Sequence, residues 1–123
     1  MKITTFNPQI ITKDAEPIVQ LFQELGFEKH HAPKDIGEYH VQGIRMKDQS
    51  GFYLDISVPE APLEKDISVI RMNVDNFEEA YNFLKERGFK NYYGDNTVDR
   101  DSSKSALMIS PSGFAINLIQ HIH

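Results

Sequence analysis

The chain has 123 residues, a length typical of one domain, and its 40% hydrophobic and 25% charged residues are ordinary for a globular protein. Its formal net charge of -5 argues against binding to nucleic acids or anionic membranes, both of which favour basic surfaces. The absence of cysteine excludes disulfides, thiol nucleophiles and thiolate metal ligands, and no apolar run approaches the roughly 18 residues of a membrane span. Since the N-terminal residues also lack an apolar signal core, we expect a cytoplasmic protein.

The first half of the chain predicts a strand, a helix and three further strands. An apolar stripe with the i, i+3, i+4, i+7 spacing of an amphipathic helix is formed by Ile18, Leu21, Phe22 and Leu25. Asp14 is a suitable N-cap for this helix, and Gly26 is a suitable left-handed residue to end it. The strand-like run ITTFNPQIIT precedes the helix, and a short strand and the runs YHVQGIRMK and FYLDISV follow it. We therefore predict the order β-α-β-β-β.

The second half predicts the same order. The run DISVIRMNV is followed by a second helical stripe, formed by Phe77, Ala80, Tyr81 and Leu84. Asn76 and Glu79 have the spacing of a capping box, and Gly88 is placed to end the helix. The runs KSALMIS and FAINLIQ then predict the last two strands.

The two halves are copies of one pattern. When the chain is aligned with itself at an offset of 62 residues, 8 of 61 pairs are identical, and they fall at helix ends and turns. The clearest match aligns SGFYLDIS with SGFAINLI. One such module buries only one face of its sheet, so two modules must pair. We predict an α+β fold in a single domain, 1–123, with module one at 1–61 and module two at 63–123, whose sheets form a cup.

This pattern resembles the vicinal oxygen chelate superfamily, which contains glyoxalases, bleomycin-resistance proteins and extradiol dioxygenases. The resemblance rests on LGF at the end of the first helix, VDNFEEAYNFLKERGF in the second module and the terminal SPSGFAINLIQ. It implies the paired-module fold, and it implies a homodimer. It does not select one function, because the same fold hosts isomerases, lyases, epimerases, dioxygenases, transferases and metal-free binding proteins.

The resemblance also identifies the positions where metal-dependent members hold their ion, on the first and last strands of each module. Those positions here are Asn7, Asp55, Val69 and Asn117. Only Asp55 is an ionised ligand, and valine offers no donor, whereas zinc usually takes three or more strong donors. We therefore expect no metal and no other cofactor at these positions.

Strand alternation predicts which side chains face the cup. In FYLDISV, the apolar set Phe52, Leu54, Ile56 and Val58 should pack against the helix, as should Phe114, Ile116 and Leu118 in FAINLIQ. Burying a carboxylate in a cup costs free energy unless the group is ion-paired or hydrated. Arg45 and Arg71 are the candidates to pair with Asp55. The predicted ligand-binding residues are Asn7, Arg45, Tyr53, Asp55, Arg71 and Asn117.

The sequence favours metal-independent binding of a small molecule in the cup, with the ligand unknown. An alternative is a lyase or isomerase of the glyoxalase type that uses Asp55 as a general base or as a residual metal ligand. A third hypothesis is a structural module whose cup holds only side chains. His121 and His123 share one face of a strand and could bind a metal, but they end the chain, where a solvated tail is the ordinary arrangement.

Overall fold

The structure is a computed structural model that describes residues 1–30, 42–59, 63–94, 98–99 and 103–121. Its helices and strands are β1 Ile3–Ile11, α1 Ala15–Glu24, β2 Glu28–His30, β3 Gln42–Lys47, β4 Tyr53–Val58, β5 Ile67–Val74, α2 Phe77–Glu86, β6 Lys90–Asn91, β7 Val98–Asp99, β8 Ser103–Ile109 and β9 Ala115–His121. The predicted α+β class with two β-α-β-β-β modules is confirmed, and β7 is an addition to the second module. The start of the predicted third strand, at 39–41, lies outside the described residues. Neither described helix has the length and apolar character needed to cross a membrane.

The chain divides into two compact units, which we call the first unit (Asn7–Ser68) and the second unit (Met1–Phe6 with Val69–His123). In the first unit the strand order is β2-β3-β4-β1, with β1 and β4 parallel and the other pairs antiparallel. In the second unit the order is β5-β9-β8-β6, with β5 and β9 parallel, while β7 pairs with β8. The cup and the module limits at 61 and 63 stay predictions.

The sequence repeat is also a repeat of strand register. Gln9 lies opposite Asp55 in the parallel pair of the first unit, and Arg71 lies opposite Asn117 in that of the second, each residue 62 positions further on. The antiparallel hairpins agree in the same way, since Arg45 faces Asp55 and Leu107 faces Asn117. Equivalent positions of the two modules can therefore be compared directly.

The first core forms under helix α1. Asp14 has extended backbone angles, and its carboxylate accepts a hydrogen bond from the backbone N–H of Glu16 at 3.2 Å, which confirms the predicted N-cap. Gly26, at φ 110°, ends the helix and allows the ring of Phe27 to meet that of Phe22 edge to face, with centroids 5.5 Å apart. The buried cluster comprises Ala15, Val19, Met46, Leu54 and Ile56.

The second core forms under helix α2. The Asn76 side chain accepts from the backbone N–H of Glu79 at 3.1 Å, which is the N-cap half of the predicted capping box, while the Glu79 carboxylate lies 2.9 Å from the N-terminal amine. Gln120 fixes the start of the helix, because its side chain accepts from the Phe77 N–H at 2.7 Å and donates to the Asp75 carbonyl at 2.9 Å. The buried cluster comprises Met72, Val74, Phe77, Ala80, Leu84, Ala106, Met108 and Leu118.

Two aromatic residues depart from the predicted alternation. Leu54, Ile56, Ile116 and Leu118 pack in the cores as expected, but Phe52 is 67% exposed and Phe114 is 51% exposed. Both precede their strands and belong to the turns, where the Phe52 N–H donates to the Asp48 carboxylate and the Phe114 N–H donates to the Ser110 hydroxyl. The prediction that Phe52 packs against the helix is wrong, and Phe114 is half exposed, with its ring meeting that of Phe89 edge to face at 5.7 Å between centroids.

The two glycines that end the helices give a matched test of local packing. Gly26 and Gly88 are equivalent in the repeat and both have positive φ, but a Cβ on Gly26 would meet nothing within 4 Å, whereas one on Gly88 would lie 2.8 Å from Cγ of Pro111. We expect Gly26→Ala to cost about 1 kcal/mol from backbone strain alone. Gly88→Ala should cost about 1 kcal/mol more, because the Pro111 ring must also move. Urea unfolding of both variants tests this, and equal losses would contradict it.

Candidate functional site

One side of the first unit's sheet is polar. Met46, Leu54 and Ile56 point towards α1, so the residues that alternate with them point to the other side. We call that side the polar face, and its members are Asn7, Gln9, Arg45, Tyr53, Asp55 and Ser57. The predicted alternation puts the residues between Leu54, Ile56 and Val58 on the side away from the helix, and the packing of Leu54 and Ile56 agrees with it.

Asn7 and Asp55 form a buried pair at the centre of the polar face. The Asn7 amide Nδ2 donates to Asp55 Oδ2 at 2.6 Å and to the Pro8 carbonyl at 2.9 Å. Asn7 is 8% exposed and Asp55 is 4% exposed. Because the amide nitrogen is committed to these acceptors, its oxygen, Oδ1, points elsewhere, and within the described part of the chain it has no hydrogen-bond partner. Beside this pair, Gln9 Nε2 donates to the Ser57 hydroxyl at 2.6 Å.

Basic side chains surround Tyr53 on the same face. The guanidinium carbon of Arg45 lies 4.1 Å from the Tyr53 ring centroid, and the ammonium nitrogen of Lys47 lies 5.3 Å from it. The His30 ring meets Tyr53 edge to face, with centroids 5.6 Å apart. We call these four residues the Tyr53 cluster. Arg45 Nε is buried and, among the residues that the structure describes, has no hydrogen-bond partner.

The second unit holds the other predicted site residues. Arg71 Nε donates to the Asn73 side chain at 3.2 Å, and Arg71 Nη2 lies 3.5 Å from His121 Nε2. Asn117 is half-buried opposite Arg71 in the β5–β9 pair, and Val69 is buried. The structure thus brings Asn7, Arg45, Tyr53 and Asp55 together in the first unit, and it places Arg71 and Asn117 together in the second.

The equivalent positions of the second module are mostly apolar. Those that correspond to the polar face are, in the same order, Val69, Arg71, Leu107, Ala115, Asn117 and Ile119. Because the strand registers agree pair for pair, the backbone of this module tolerates apolar residues at those positions. The fold alone therefore does not explain why the first module has Asn7 and Arg45 where the second has Val69 and Leu107.

Two members of the Tyr53 cluster were not predicted from the sequence. His30 lies opposite Arg45 across the β2–β3 pair, and Lys47 lies opposite Tyr53 across the β3–β4 pair. The signal that could have identified Lys47 is its spacing of two residues from Arg45, which puts both on one face of the strand. His30 gave no comparable signal, because the register of a three-residue strand cannot be read from its own pattern.

The residues at the expected metal positions fit a divalent ion poorly. In the first unit the Asn7 amide directs N–H, not oxygen, at the carboxylate of Asp55, and an amide N–H cannot act as a metal ligand. Val69 has no donor atom, and the described residues contain no group of three or more His, Cys, Asp or Glu side chains that could hold a metal. The polar face is better suited to hydrogen bonding and ion pairing than to metal chemistry.

Sequence comparison identifies no relative. No family model matches the chain, and no curated protein matches it significantly.

Structure comparison identifies several proteins of one fold. A glyoxalase/bleomycin resistance protein/dioxygenase superfamily member from Vibrio splendidus 12B01 is 16% identical, with 97% of this chain and 99% of that chain covered and a TM-score of 0.61. Methylmalonyl-CoA epimerase from Mycobacterium tuberculosis is 12% identical, with 97% and 89% covered and a TM-score of 0.63. A variant of glyoxalase I from Zea mays is 13% identical, with 97% and 43% covered and a TM-score of 0.65.

These similarities extend over nearly the whole chain, and at such low identity they show the fold alone. The chain has the fold of the vicinal oxygen chelate proteins, as the sequence pattern predicted. It spans less than half the length of the glyoxalase I chain. Because this fold hosts many reactions, function has to be argued from the polar face.

Proposed function

We propose that the polar face of the first unit binds a small polar molecule without a metal ion. The observation that carries this proposal is a pair of buried atoms, Asn7 Oδ1 and Arg45 Nε, that have no hydrogen-bond partner among the described residues. One is an acceptor and the other is a donor, and they lie on the same side of one sheet. A bound molecule with a matching donor and acceptor would satisfy both.

The second module lacks both unpaired polar atoms at the equivalent positions. A buried polar atom without a partner costs about 1–3 kcal/mol. The second module avoids this cost at the equivalent positions with Val69 and Leu107, and both are buried. The first module could also have apolar side chains at these positions. That it has Asn7 and Arg45 instead suggests a benefit outside folding. Ligand binding supplies such a benefit, because small-molecule sites combine a few placed polar groups with aromatic walls, here Tyr53.

Native mass spectrometry of freshly purified protein tests the proposal directly. We expect a fraction of the chain to carry a bound small molecule and no metal. The variants Asn7→Val and Arg45→Leu, which introduce the side chains found at 69 and 107, should lose that molecule and remain folded. An adduct unchanged in both variants would contradict the proposal, and so would a wild-type spectrum without any adduct after incubation with a cell extract.

Metal independence has its own test in thermal unfolding. A ligand at 100 times its dissociation constant adds roughly 2.7 kcal/mol, which raises the Tm of a domain of this size by several degrees. We expect Zn²⁺, Mn²⁺, Ni²⁺ and Mg²⁺ each to raise it by much less, because Asp55 is the only acidic residue at the expected positions. The control is a chain that ends before His121. A shift of several degrees that survives this truncation and disappears in Asp55→Ala would overturn the metal-free assignment.

The alternative function is a lyase or isomerase in which Asp55 acts as a general base. It is favoured by one observation, that a buried carboxylate is held in place by the short bond from Asn7. A base that removes a carbon-bound proton would let the bound molecule exchange that hydrogen for deuterium in D2O. We expect no exchange for a binding protein. Exchange that stops in Asp55→Asn, with binding retained, would make the enzyme the better assignment.

We also propose that the protein forms a homodimer. Large apolar side chains stay exposed in both units, among them Phe6, Leu25 and Phe52. Contact with a second copy would cover such side chains, although scattered exposed apolar residues also occur in monomers. Sedimentation equilibrium at tens of micromolar should give about twice the mass of the 14.1 kDa chain, and a single monomeric species would refute this proposal.

A further inference from the structure

The Tyr53 cluster has the composition of an anion site. Arg45 and Lys47 are both basic, and no carboxylate of the described residues lies within ion-pair distance of either. Glu28, which lies opposite Lys47 on the same face, is exposed to solvent. Asp55, opposite Arg45, accepts from Asn7 instead. The cluster therefore contains no acidic residue, and neither of its basic side chains forms an ion pair with a described carboxylate.

The stacking of Arg45 on Tyr53 determines which part of the guanidinium can bind a ligand. The ring covers one planar face of the group at 4.1 Å. Its N–H donors lie in the plane and point outward from the edge, and the one on Nε is buried without a partner in the described part of the chain. A stacked guanidinium with a free edge matches the two oxygens of a carboxylate or phosphate, to which it can donate in parallel.

The repeat indicates that this cluster is not needed for folding. The positions equivalent to His30, Arg45, Lys47 and Tyr53 hold Tyr92, Leu107, Ile109 and Ala115. None of these is basic, although the strands pair in the same register. The basic residues are specific to the first module, where the unpaired atom of Asn7 also lies.

We infer that the Tyr53 cluster binds the anionic group, a carboxylate or a phosphate, of the molecule that the polar face holds. The edge of the Arg45 guanidinium donates hydrogen bonds to two oxygens of this group, and Lys47 adds positive charge. The inference rests on the proposed function and narrows it, because it assigns the ligand to the class of small organic anions with a hydrogen-bond donor placed for Asn7 Oδ1.

The test uses NMR of the arginine Nε–H groups during separate titrations of the intact protein with inorganic phosphate and with acetate. We expect one resonance to shift and saturate, and Arg45→Leu to remove it, which assigns it. Saturation by only one of the two anions identifies the anionic group. Affinity for that anion, followed in the variants by backbone amide shifts because the Arg45 resonance is absent there, should fall about tenfold or more in Arg45→Leu. It should fall less in Arg45→Lys, which keeps the charge and loses the parallel donors.

Arg87 provides the matched control. Its guanidinium also stacks on an aromatic ring, at 3.5 Å from the Phe83 centroid, but Nη1 donates to the Phe83 carbonyl and Glu86 lies 3.9 Å away. Its Nε–H should shift without saturation in both titrations. Equal behaviour of Arg45 and Arg87 would overturn the inference.

The outcomes separate this inference from the proposal beneath it. A bound molecule that is lost in Asn7→Val and retained undiminished in Arg45→Leu would preserve ligand binding and refute the anion assignment. The absence of any bound molecule together with a saturable anion shift at Arg45 would support the anion site and count against the broader proposal. A circular dichroism spectrum of each variant confirms that it is folded.

Discussion

Replacing Phe77 with alanine should lower the free energy of unfolding by about 3–5 kcal/mol. Phe77 is 2% exposed and belongs to the core under α2, where it stacks on Tyr81 with centroids 5.5 Å apart. It is also the first residue of the helix, and its backbone N–H is held by Gln120. Since domains of this size are stable by about 5–15 kcal/mol, the loss would be a large part of the total.

The control for Phe77→Ala is Phe52→Ala, which removes the same side chain from a position that is 67% exposed. We expect this change to stay within about 0.5 kcal/mol of wild type, as surface substitutions usually do. Urea unfolding followed by circular dichroism measures both variants. A loss at Phe52 comparable to that at Phe77 would show that Phe52 is covered in solution, which would also support the proposed dimer.

The comparison of these two phenylalanines shows how far the sequence could predict the fold. Periodicity and capping residues predicted both helices with their ends, because those signals are local. The predicted stripe of the first helix was only half right, since Leu21 and Leu25 are exposed and Ala15 and Val19 are buried instead. Strand alternation predicted the side of the sheet correctly within the strands and wrongly at Phe52, because a period of two holds only where the backbone is extended. The turn from Asp48 to Phe52 interrupts that geometry, and its side-chain hydrogen bonds are not visible in a pattern of apolar residues.

The predicted site shows a different limit. Alternation correctly assigned Asp55 to the side away from the helix, but pairing partners depend on strand register and on rotamers. Arg45 does lie opposite Asp55, yet its guanidinium lies over Tyr53. Cation–π stacking of this kind leaves no sequence signature. The sequence could therefore identify Arg45 as a candidate site residue but could not predict that it stacks on Tyr53.

The internal repeat compensates for part of this limit, because it supplies a comparison that a single sequence normally lacks. At each position of the polar face the second module shows what the same backbone accepts. Substitutions that copy the second module should therefore preserve the fold and remove the polar chemistry. The pair Asn7 and Asp55 differs from its equivalents, Val69 and Asn117, by the loss of both the amide donor and the carboxylate.

The variant Asn7→Val should destabilise the protein by about 2–3 kcal/mol, although valine is the residue that the second module has at this position. The reason is that Asp55 then loses the donor that binds Oδ2 at 2.6 Å while its carboxylate stays buried. A hydrogen bond to a charged group contributes more to stability than one between neutral groups. A buried charge that has lost a partner adds a desolvation cost. The variant Asn7→Asp, which removes the donor and adds a second negative charge, should be less stable still.

Adding Asp55→Asn to Asn7→Val should recover at least half of that loss, because the double variant reproduces the pair Val69 and Asn117 and no longer buries a charge. Asp55 has interactions besides the bond from Asn7. The stability of the single variant Asp55→Asn therefore does not isolate the contribution of that bond. The quantity to measure is the coupling between the two substitutions in a double-mutant cycle, from urea unfolding at neutral pH. We expect a coupling of about 1–2 kcal/mol, in the range found for residues in direct contact. Substitutions that add within about 0.5 kcal/mol would show that Asn7 does not stabilise the Asp55 carboxylate. In that case the short bond between them would explain neither the burial of Asp55 nor its suitability as a base.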